Sequence, residues 1–199
     1  MSKRSFVIVF GCLSTLLMLS VGTGFWMLTQ EKNTVPQESG LVGGAFTLTD
    51  HSGNKVTERS YPYKFKLIYF GYTYCPDICP TGMAVITEAL EILGQKADAI
   101  KPLFITVDPK RDTVQTMSEY YNHFHPSFSN LTGTLNEINK VAKLFKVYSK
   151  ISSKSDPANY LMDHSSIMYV MSPEGKYLNH FSSDTTPEQI VTFFNRTLK

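Results

Sequence analysis

Gly71-Tyr72-Thr73-Tyr74-Cys75-Pro76-Asp77-Ile78-Cys79-Pro80 joins two segments of contrasting pattern. The five residues before it, 66–70, form a short apolar run that predicts a buried β-strand. In residues 83–93, which follow it, apolar side chains recur every three or four positions, a spacing that predicts an amphipathic helix. Pro80 is typical of a first helical turn. The decapeptide is therefore a strand-to-helix turn, and it places Cys79 at the N-terminus of the helix.

Two thiols four residues apart at such a turn can perform redox chemistry or hold a soft metal ion. The positive end of the helix favours a thiolate on Cys79 and is expected to lower its pKa. A dithiol oxidoreductase of the thioredoxin kind uses Cys-x-x-Cys, whereas Cys75 and Cys79 have one more residue between them. The longer spacing still permits a disulfide, but it loosens the loop and leaves room for an ion. A purely structural pair of thiols is disfavoured because the flanking prolines indicate an exposed turn.

The kind of metal depends on a third ligand. A structural zinc site has four ligands, often two cysteine pairs, and the sequence has no second pair. Two thiolates favour Cu(I), for which one imidazole would complete a trigonal set. His164 is the candidate because it stands before residues 166–171, an apolar strand expected beside strand 66–70 in a thioredoxin-type sheet. The alternative for His164 is a loop histidine that only forms hydrogen bonds. The other histidines are expected in a turn, at a helix end or facing solvent: His51, His123, His125 and His180.

The remaining chain alternates strand and helix patterns. Strands that alternate with helices and finish in a hairpin indicate an α/β fold, a thioredoxin-like three-layer sandwich with an added N-terminal β-hairpin. Residues 148–163 are polar and are expected to form a loop. The other predicted elements are a hairpin at 46–57, strands at 102–107, 128–131, 166–171 and 177–181, and helices at 113–124, 135–145 and 187–194.

The N-terminal segment predicts a membrane anchor. Residues 6–28 carry no charge, and as a helix they would reach about 35 Å, enough to cross a bilayer core of about 30 Å. Lys3-Arg4 precedes them, so the N-terminus should stay cytoplasmic while the rest of the chain is translocated. We therefore expect a cytoplasmic stub and transmembrane anchor at 1–29, a linker at 30–44 and one folded domain at 45–199. A cleaved signal peptide is the competing interpretation.

Charge and targeting signals limit the location and the partners. No Arg/Ser-rich transit segment precedes the apolar run. A bacterial inner membrane, with the C-terminal domain in the periplasm, is therefore favoured over the mitochondrial inner membrane. The formal net charge of +2 comes from Lys3-Arg4, and the remainder is balanced at 17 basic (19 − 2) and 17 acidic residues. A neutral domain without a basic cluster gives no reason to expect a nucleic-acid partner.

Three stretches resemble the SCO/SenC family of membrane-anchored copper proteins. They are the decapeptide 71–80, then Val107-Asp108-Pro109-Lys110-Arg111-Asp112-Thr113, then Asp163-His164-Ser165, in the family's order. The resemblance covers roughly residues 42–198 and implies a thioredoxin-like domain that faces away from the cytoplasm on an N-terminal anchor. The middle stretch is expected to end a strand near the site, and no chemistry is assigned to it.

The resemblance also implies a metal site and a role. One copper ion, Cu(I) or Cu(II), is bound by the two motif cysteines and the distant histidine, which are Cys75, Cys79 and His164 in this chain. Asp77 and Asp163 also match family positions, and Asp163 is a candidate for orienting the site or tuning its charge. The implied role is assembly of cytochrome c oxidase, either as a metallochaperone for the dinuclear copper centre of subunit II or as a reductant of that subunit's cysteines. The implied partner is subunit II or another copper chaperone.

Three functions fit the thiols to different degrees. A copper-binding assembly factor uses all three predicted ligands. A thiol–disulfide oxidoreductase needs only Cys75 and Cys79, with Cys75 as the more exposed attacking thiol. A thiol peroxidase, which shares the fold, requires Pro-x-x-x-Thr-x-x-Cys, and Thr73 lies two positions before Cys75 rather than three. The peroxidase therefore ranks last.

Overall fold

Seven strands form one sheet in the computed structural model, which describes residues 42–153 and 159–198. A second sheet in this part has two strands, β6 and β7. The strands are β1 Thr47–Asp50, β2 Lys55–Thr57, β3 Phe65–Gly71, β4 Ile100–Thr106, β5 Ser129–Thr132, β6 Ser149–Ile151, β7 Met162–His164, β8 Met168–Met171 and β9 Tyr177–Phe181. The helices are α1 Ile78–Leu93, α2 Val114–Tyr121, α3 Leu135–Leu144 and α4 Pro187–Thr197, and a 3₁₀ segment, Gly94–Ala99, follows α1.

The strand order of the large sheet is β2-β1-β5-β4-β3-β8-β9. Strands β3, β4 and β5 are parallel, whereas β8 and β9 are antiparallel to their neighbours. The βαβ unit β3–α1–β4, the antiparallel pair β8–β9 and the final helix α4 form a thioredoxin-like core, so the predicted fold class is confirmed. The predicted hairpin is β1–β2, and it extends the sheet because β1 pairs with β5.

Strand β3 and helix α1 bring the cysteine turn to the end of the sheet. Six of the seven residues of β3 are buried, as expected for a central strand covered on both faces. Its side chains Tyr69 and Phe70 are among the largest that are fully buried. Helix α1 buries the face that the sequence pattern predicted: Met83, Ile86, Leu90 and Leu93. Gly94 follows at a φ of 55°, a positive φ that glycine adopts without strain, and the helix ends there.

The segment predicted as a polar loop, residues 148–163, is the largest departure from the predicted elements. It contains β6 and most of β7, which pair antiparallel with Ser149 opposite His164. Each strand has only three residues and none of their side chains is buried, so no alternation of apolar and polar side chains marks them. His164 consequently ends β7, and the next strand begins only at Met168 rather than at residue 166.

The predicted anchor at 1–29 and nearly all of the predicted linker at 30–44 lie outside the described residues and stay predictions. Within residues 42–153 and 159–198, no helix has both the length and the apolar character needed to cross a bilayer.

Candidate metal centre

The turn between β3 and α1 holds the two cysteines at different depths. Asp77 is the N-cap of α1, so Cys79 is the second residue of the helix and Cys75 lies in the turn before it. Cys79 is completely buried in the core, whereas Cys75 is half-buried, and both thiols are free. Gly71 gives the buried sulfur its space, because a Cβ at this position would lie 2.8 Å from Cys79 Sγ. The strand that leads into the turn therefore requires glycine at its last residue.

His164 lies beside both thiols although it is 85 residues beyond Cys79. The distance from its Nε2 to Cys79 Sγ is 3.3 Å. The ligand atoms of Cys75, Cys79 and His164 all lie within 4.8 Å of one another. In the part of the chain that the structure describes, this is the one group of three or more His, Cys, Asp or Glu side chains arranged closely enough to hold a metal ion.

The imidazole of His164 is oriented by its surroundings. Its Nδ1 lies 3.2 Å from the carbonyl oxygen of Ser165. With a metal ion bound, a proton on Nδ1 that is donated to this carbonyl would leave the Nε2 lone pair directed at the metal, the usual arrangement of a metal-binding histidine. Without the metal, Nε2 can carry a proton and donate it to a thiolate. The ring of Tyr72 meets the imidazole edge to face, with centroids 5.7 Å apart. The hydroxyl oxygen of Tyr72 accepts a hydrogen bond of 3.1 Å from the backbone N–H of Met162, so the same tyrosine also holds β7.

The structure corrects the predicted ionisation of the thiols. Hydrogen bonding from the Cys79 thiol is the main cause that lowers the pKa of Cys75 to about 3, with further donation from His164 and from the backbone N–H of Asp77. The hydrogen bond with Cys75 and burial raise the pKa of Cys79. The first turn of the helix does stabilise a thiolate, but its N–H at Cys79 points at Cys75 Sγ, 3.4 Å away. The thiolate is therefore on Cys75 and not, as the sequence suggested, on Cys79.

A cavity of about 390 Å³ opens in front of the half-buried thiol and the imidazole. Asp77 and Asp163 both line it and both are exposed, but neither carboxylate belongs to the close group of ligand atoms. Asp77 makes no side-chain cap to the helix; its carboxylate accepts a hydrogen bond of 3.4 Å from the Thr81 hydroxyl. The apolar side chains Ile78 and Leu161 form part of the rim of the cavity.

Two of the other histidines, His51 and His180, contact groups other than the two thiols. His51 stacks on Tyr121 at 4.1 Å, and its Nδ1 accepts a hydrogen bond from the backbone N–H of Asn130. His180 lies in β9 beside the hydroxyl of Tyr177. No histidine other than His164 joins the group of ligand atoms within the described residues.

A buried polar group lies next to the site in the motif 107–113, and the sequence did not predict its role. The motif 107–113 follows β4, and Val107 donates a backbone hydrogen bond to Gly71 at the start of the cysteine turn. Asp112 is completely buried and accepts two hydrogen bonds from Thr73. Arg111 reaches Tyr160, in the segment that leads into β7. The sequence signal that was available is the adjacent charged pair Arg111-Asp112 in a motif that follows a strand. The hydrogen-bond partners of that pair depend on tertiary structure.

Comparison with known proteins assigns a family to this chain. The SCO1/SenC family model matches residues 34–199. An SCO2-like protein of Rickettsia felis is 42% identical over 178 residues, which are 89% of this chain and 86% of that protein. The copper-bound structure of Bradyrhizobium japonicum ScoI is 41% identical with a TM-score of 0.72, and the match covers 78% of this chain and 98% of that one. Copper-bound yeast Sco1 is 36% identical with a TM-score of 0.73 over 79% and 88% of the two chains. The chain therefore belongs to the SCO1/SenC family.

Proposed function

We propose that this protein binds one copper ion through Cys75, Cys79 and His164 and delivers it during the assembly of cytochrome c oxidase. The observation that carries the proposal is the grouping of two sulfurs and one imidazole nitrogen within 4.8 Å of one another. Similarity to the copper-bound structures of ScoI and Sco1, at 41% and 36% identity, supports the choice of metal. A further structural relative, BsSco, at 26% identity, is a member of the Sco family of cytochrome c oxidase assembly proteins.

The donor set suits copper on chemical grounds. Thiolate ligands are soft and select Cu(I), and an imidazole is a good ligand for either oxidation state of copper. The half-buried Cys75 offers its thiolate in the metal-free protein because its pKa is already low. Cys79 has a raised pKa, so copper binding would displace its proton and couple affinity to pH. In the metal-free protein, one of the two thiols is therefore already ionised and the other must still lose its proton.

The different depths of the ligands suit transfer of the metal to a partner. Cys75 and His164 line the open cavity, whereas Cys79 is completely buried beneath them. An incoming ligand of subunit II, or of another copper chaperone, would thus meet the metal on the Cys75 and His164 side. Ligands could then be exchanged one at a time, with the buried sulfur released last. The exposed side chains Ile78 and Leu161 would contact the partner around the cavity.

A second candidate is a thiol–disulfide oxidoreductase that keeps the cysteines of subunit II reduced. The half-exposed Cys75 thiolate beside the buried Cys79 thiol is an arrangement for attack and resolution. In this reaction Cys75 would attack a partner disulfide and form a mixed disulfide. Cys79 would then lose its proton and displace the partner thiolate. The two cysteines end as one disulfide and the partner gains two electrons; Cys79 supplies one proton, and the second partner thiolate takes its proton from solvent.

The His164→Ala variant separates the two candidates because it keeps both thiols. For a copper carrier we expect Cu(II) affinity to fall by at least about 10- to 100-fold, the loss seen when even an outer partner of a ligand is removed. Cu(I), which favours two thiolates, should be retained better. Absorption titration of the purified protein measures Cu(II) affinity, and competition with a chromophoric Cu(I) chelator measures Cu(I) affinity. The matched control, His180→Ala, removes an exposed histidine of β9.

The same variants are tested for reduction of an oxidised fragment of subunit II. An oxidoreductase should keep this activity without His164, whereas a copper carrier loses its metal affinity. A His164→Ala protein that binds both copper oxidation states like the wild type would contradict the three-ligand site. Turnover on the disulfide together with wild-type copper affinity would favour the second candidate.

We also propose that residues 1–29 anchor the domain to a bacterial inner membrane, with the domain on the periplasmic side. The uncharged run at 6–28 and the preceding Lys3-Arg4 support this orientation. The relatives include bacterial proteins from Rickettsia and mitochondrial proteins from animals. Protease added to intact spheroplasts is expected to digest the domain. A domain that is protected until the membrane is lysed would contradict the proposed orientation.

A further inference from the structure

The turn after β4 contacts both halves of the candidate metal centre. Its backbone is closed by hydrogen bonds from the N–H groups of Arg111 and Asp112 to the carbonyl oxygen of Asp108. The closed turn holds two consecutive charged residues, Arg111 and Asp112. The turn takes no part in the proposed ligand set, so its buried charges need another explanation.

Asp112 holds the half of the centre that carries the thiols. Its Oδ2 accepts a hydrogen bond of 3.1 Å from the backbone N–H of Thr73, and its Oδ1 accepts one of 2.6 Å from the Thr73 hydroxyl. Thr73 lies two residues before Cys75. The same Oδ2 of Asp112 also accepts a hydrogen bond from the hydroxyl of Thr106, the last residue of β4. The cysteine turn is thereby tied to the end of the neighbouring strand.

Arg111 holds the half that carries the imidazole. Its Nη1 donates a hydrogen bond of 2.8 Å to the carbonyl oxygen of Tyr160, two residues before β7 begins. The guanidinium carbon lies 3.7 Å from the centroid of the Tyr160 ring. The Tyr160 hydroxyl in turn donates 2.9 Å to Asp108, the residue that also pairs with Arg111 Nε. Arg111 and Tyr160 are therefore linked in three ways: by the hydrogen bond to the Tyr160 carbonyl oxygen, by the guanidinium on the Tyr160 ring, and through their shared partner Asp108.

The same guanidinium lies against the cysteine turn. Its carbon is 4.7 Å from the ring centroid of Tyr74 and 5.7 Å from that of Tyr72, and Tyr72 contacts the imidazole of His164 edge to face. Nη2 of Arg111 is buried without a hydrogen-bond partner. Aromatic faces attract a cation without accepting conventional hydrogen bonds, which accounts for a guanidinium nitrogen left in this state. The arginine is thus held by rings from both halves of the centre.

We propose that the turn 108–113 sets the distance between the imidazole and the thiols, with Arg111 as a positioning residue for His164. This positioning role rests on the function proposed above in one respect only: copper binding is the reason why the distance between the imidazole and the thiols matters. Arg111 suits this task because its planar fork can donate to a carbonyl and a carboxylate while its face stacks on a ring. A lysine keeps the charge but has neither the fork nor the flat face, so Arg111→Lys is the informative substitution.

The first measurement uses the metal-free protein and does not depend on copper. We expect Arg111→Lys to speed hydrogen–deuterium exchange at the backbone N–H groups of Met162 and Ser165 by about tenfold, the scale of one lost charge-assisted hydrogen bond. These two groups donate to the Tyr72 hydroxyl and the Tyr148 carbonyl oxygen, so they report on the two ends of the segment that carries His164. Exchange in helix α1 should not change. Tyr160→Phe, which loses only the hydroxyl bond to Asp108, should act in the same direction with a smaller effect.

The second measurement is Cu(II) and Cu(I) affinity of the same variants. Loss of imidazole positioning should weaken Cu(II) binding by about tenfold while Cu(I), held mainly by the thiolates, changes less. Arg111→Met removes the charge as well; equal effects of Arg111→Lys and Arg111→Met show that geometry rather than charge is needed. The matched control is Arg59→Lys, because Arg59 is 75% exposed and pairs only with its neighbour Glu58 among the ion pairs of the described residues.

The outcomes separate this proposal from the proposed function. Faster exchange in β7 without any copper binding by the wild type would support the positioning role and contradict the copper carrier. Wild-type exchange and wild-type Cu(II) affinity in Arg111→Lys would overturn the positioning role and leave the carrier intact. If Arg111→Lys accelerates exchange throughout α1 as well, Tyr160→Phe decides, and unchanged exchange at Met162 in that variant overturns the proposal.

Discussion

Iodoacetamide added to the metal-free protein at pH 5 is expected to alkylate Cys75 and to leave Cys79 unmodified. The nucleophile is the thiolate. The pKa of Cys75 is lowered to about 3, mainly because the Cys79 thiol donates a hydrogen bond to its sulfur. The pKa of Cys79 is raised by that hydrogen bond and by burial, and its side chain is completely enclosed. Both ionisation and access therefore favour the same cysteine.

Two opposing effects set the rate at Cys75. At pH 5 an ordinary thiol of pKa 9.0 is ionised in roughly one molecule in ten thousand, whereas Cys75 is almost fully ionised. Nucleophilicity falls by about 0.4–0.5 decade per pKa unit, which costs roughly 250- to 1,000-fold over the six units between 9 and 3. Ionisation is the larger effect, so Cys75 should react roughly 10- to 40-fold faster than an ordinary cysteine at pH 5. The order reverses once more than about one ordinary thiol in 250 to 1,000 is ionised, at roughly pH 6.0 to 6.6, because its thiolate is the stronger nucleophile.

The cause of the shift is tested by a pair of substitutions at Cys79. Cys79→Ala removes the donor, so the pKa of Cys75 should rise and the midpoint of its alkylation rate against pH should move to a higher pH. Cys79→Ser keeps a hydroxyl donor at the same place and should leave that midpoint closer to the wild-type value. Peptide mass spectrometry identifies the modified residue and separates it from Cys12. Equal midpoints for the alanine and serine variants, or first alkylation at Cys79 in the wild type, would contradict the assignment of the thiolate.

The ionised cysteine illustrates what the sequence could not predict about the site. A helix start near Cys79 was evident from the pattern around Pro80, and the benefit of that start to a thiolate follows from general electrostatics. Which sulfur receives the benefit depends on where each N–H points. The backbone N–H of Cys79 points back across one turn to Cys75. That direction is a property of the folded turn, and a list of residues and spacings does not contain it.

The elements of the fold were predictable where one local pattern dominated. An apolar run marks strand β3, regularly spaced apolar side chains mark the buried face of α1, and a proline marks the start of α4. Each of these signals is contained in a short stretch of the chain. The small sheet β6–β7 has no such local signal, because its strands are short and lack buried side chains. The two strands also pair across the residues that separate them in the chain. His164 was placed near the thiols by reasoning about neighbouring strands, and β8 does lie beside β3. The contacts of Arg111 with Tyr160 join residues 49 positions apart, so only tertiary structure reveals them.

Asp112→Ala is expected to lower the free energy of unfolding by about 3–5 kcal/mol, the range for breaking a buried charged group's interactions. The carboxylate is completely buried and accepts three side-chain or backbone hydrogen bonds, from the N–H and hydroxyl of Thr73 and the hydroxyl of Thr106. Alanine would leave these donors unpaired in the core. A loss of this size is a large part of the 5–15 kcal/mol or so that stabilises an ordinary domain. Urea unfolding of the metal-free protein measures it.

Asp112→Asn should cost less, about 1–2 kcal/mol, because the amide keeps one acceptor oxygen and the Thr73 hydroxyl can turn to accept from the new N–H group. The control is Asp98→Asn, an exposed carboxylate in the 3₁₀ segment, which should change stability by less than about 0.5 kcal/mol. In a double-mutant cycle with Thr73→Val, the cost of Asp112→Ala should shrink by about 1–3 kcal/mol. Additive effects would mean that the hydrogen bond from the Thr73 hydroxyl contributes nothing to the role of Asp112.

The pH dependence gives a second test of the same carboxylate. Burial is the main cause that raises the pKa of Asp112 above its ordinary 3.8, although the hydrogen bonds from Thr106 and Thr73 act against it. The folded protein therefore takes up this proton at a higher pH than the unfolded chain does. Stability due to the raised pKa is fully present below pH 3.8 and is lost as the pH rises through the folded-state value. The destabilisation by Asp112→Ala should consequently grow as the pH falls from 7 to 4. A difference that shrinks over this interval would mean that hydrogen bonding, rather than burial, controls the ionisation of Asp112, and the pKa would then be lowered.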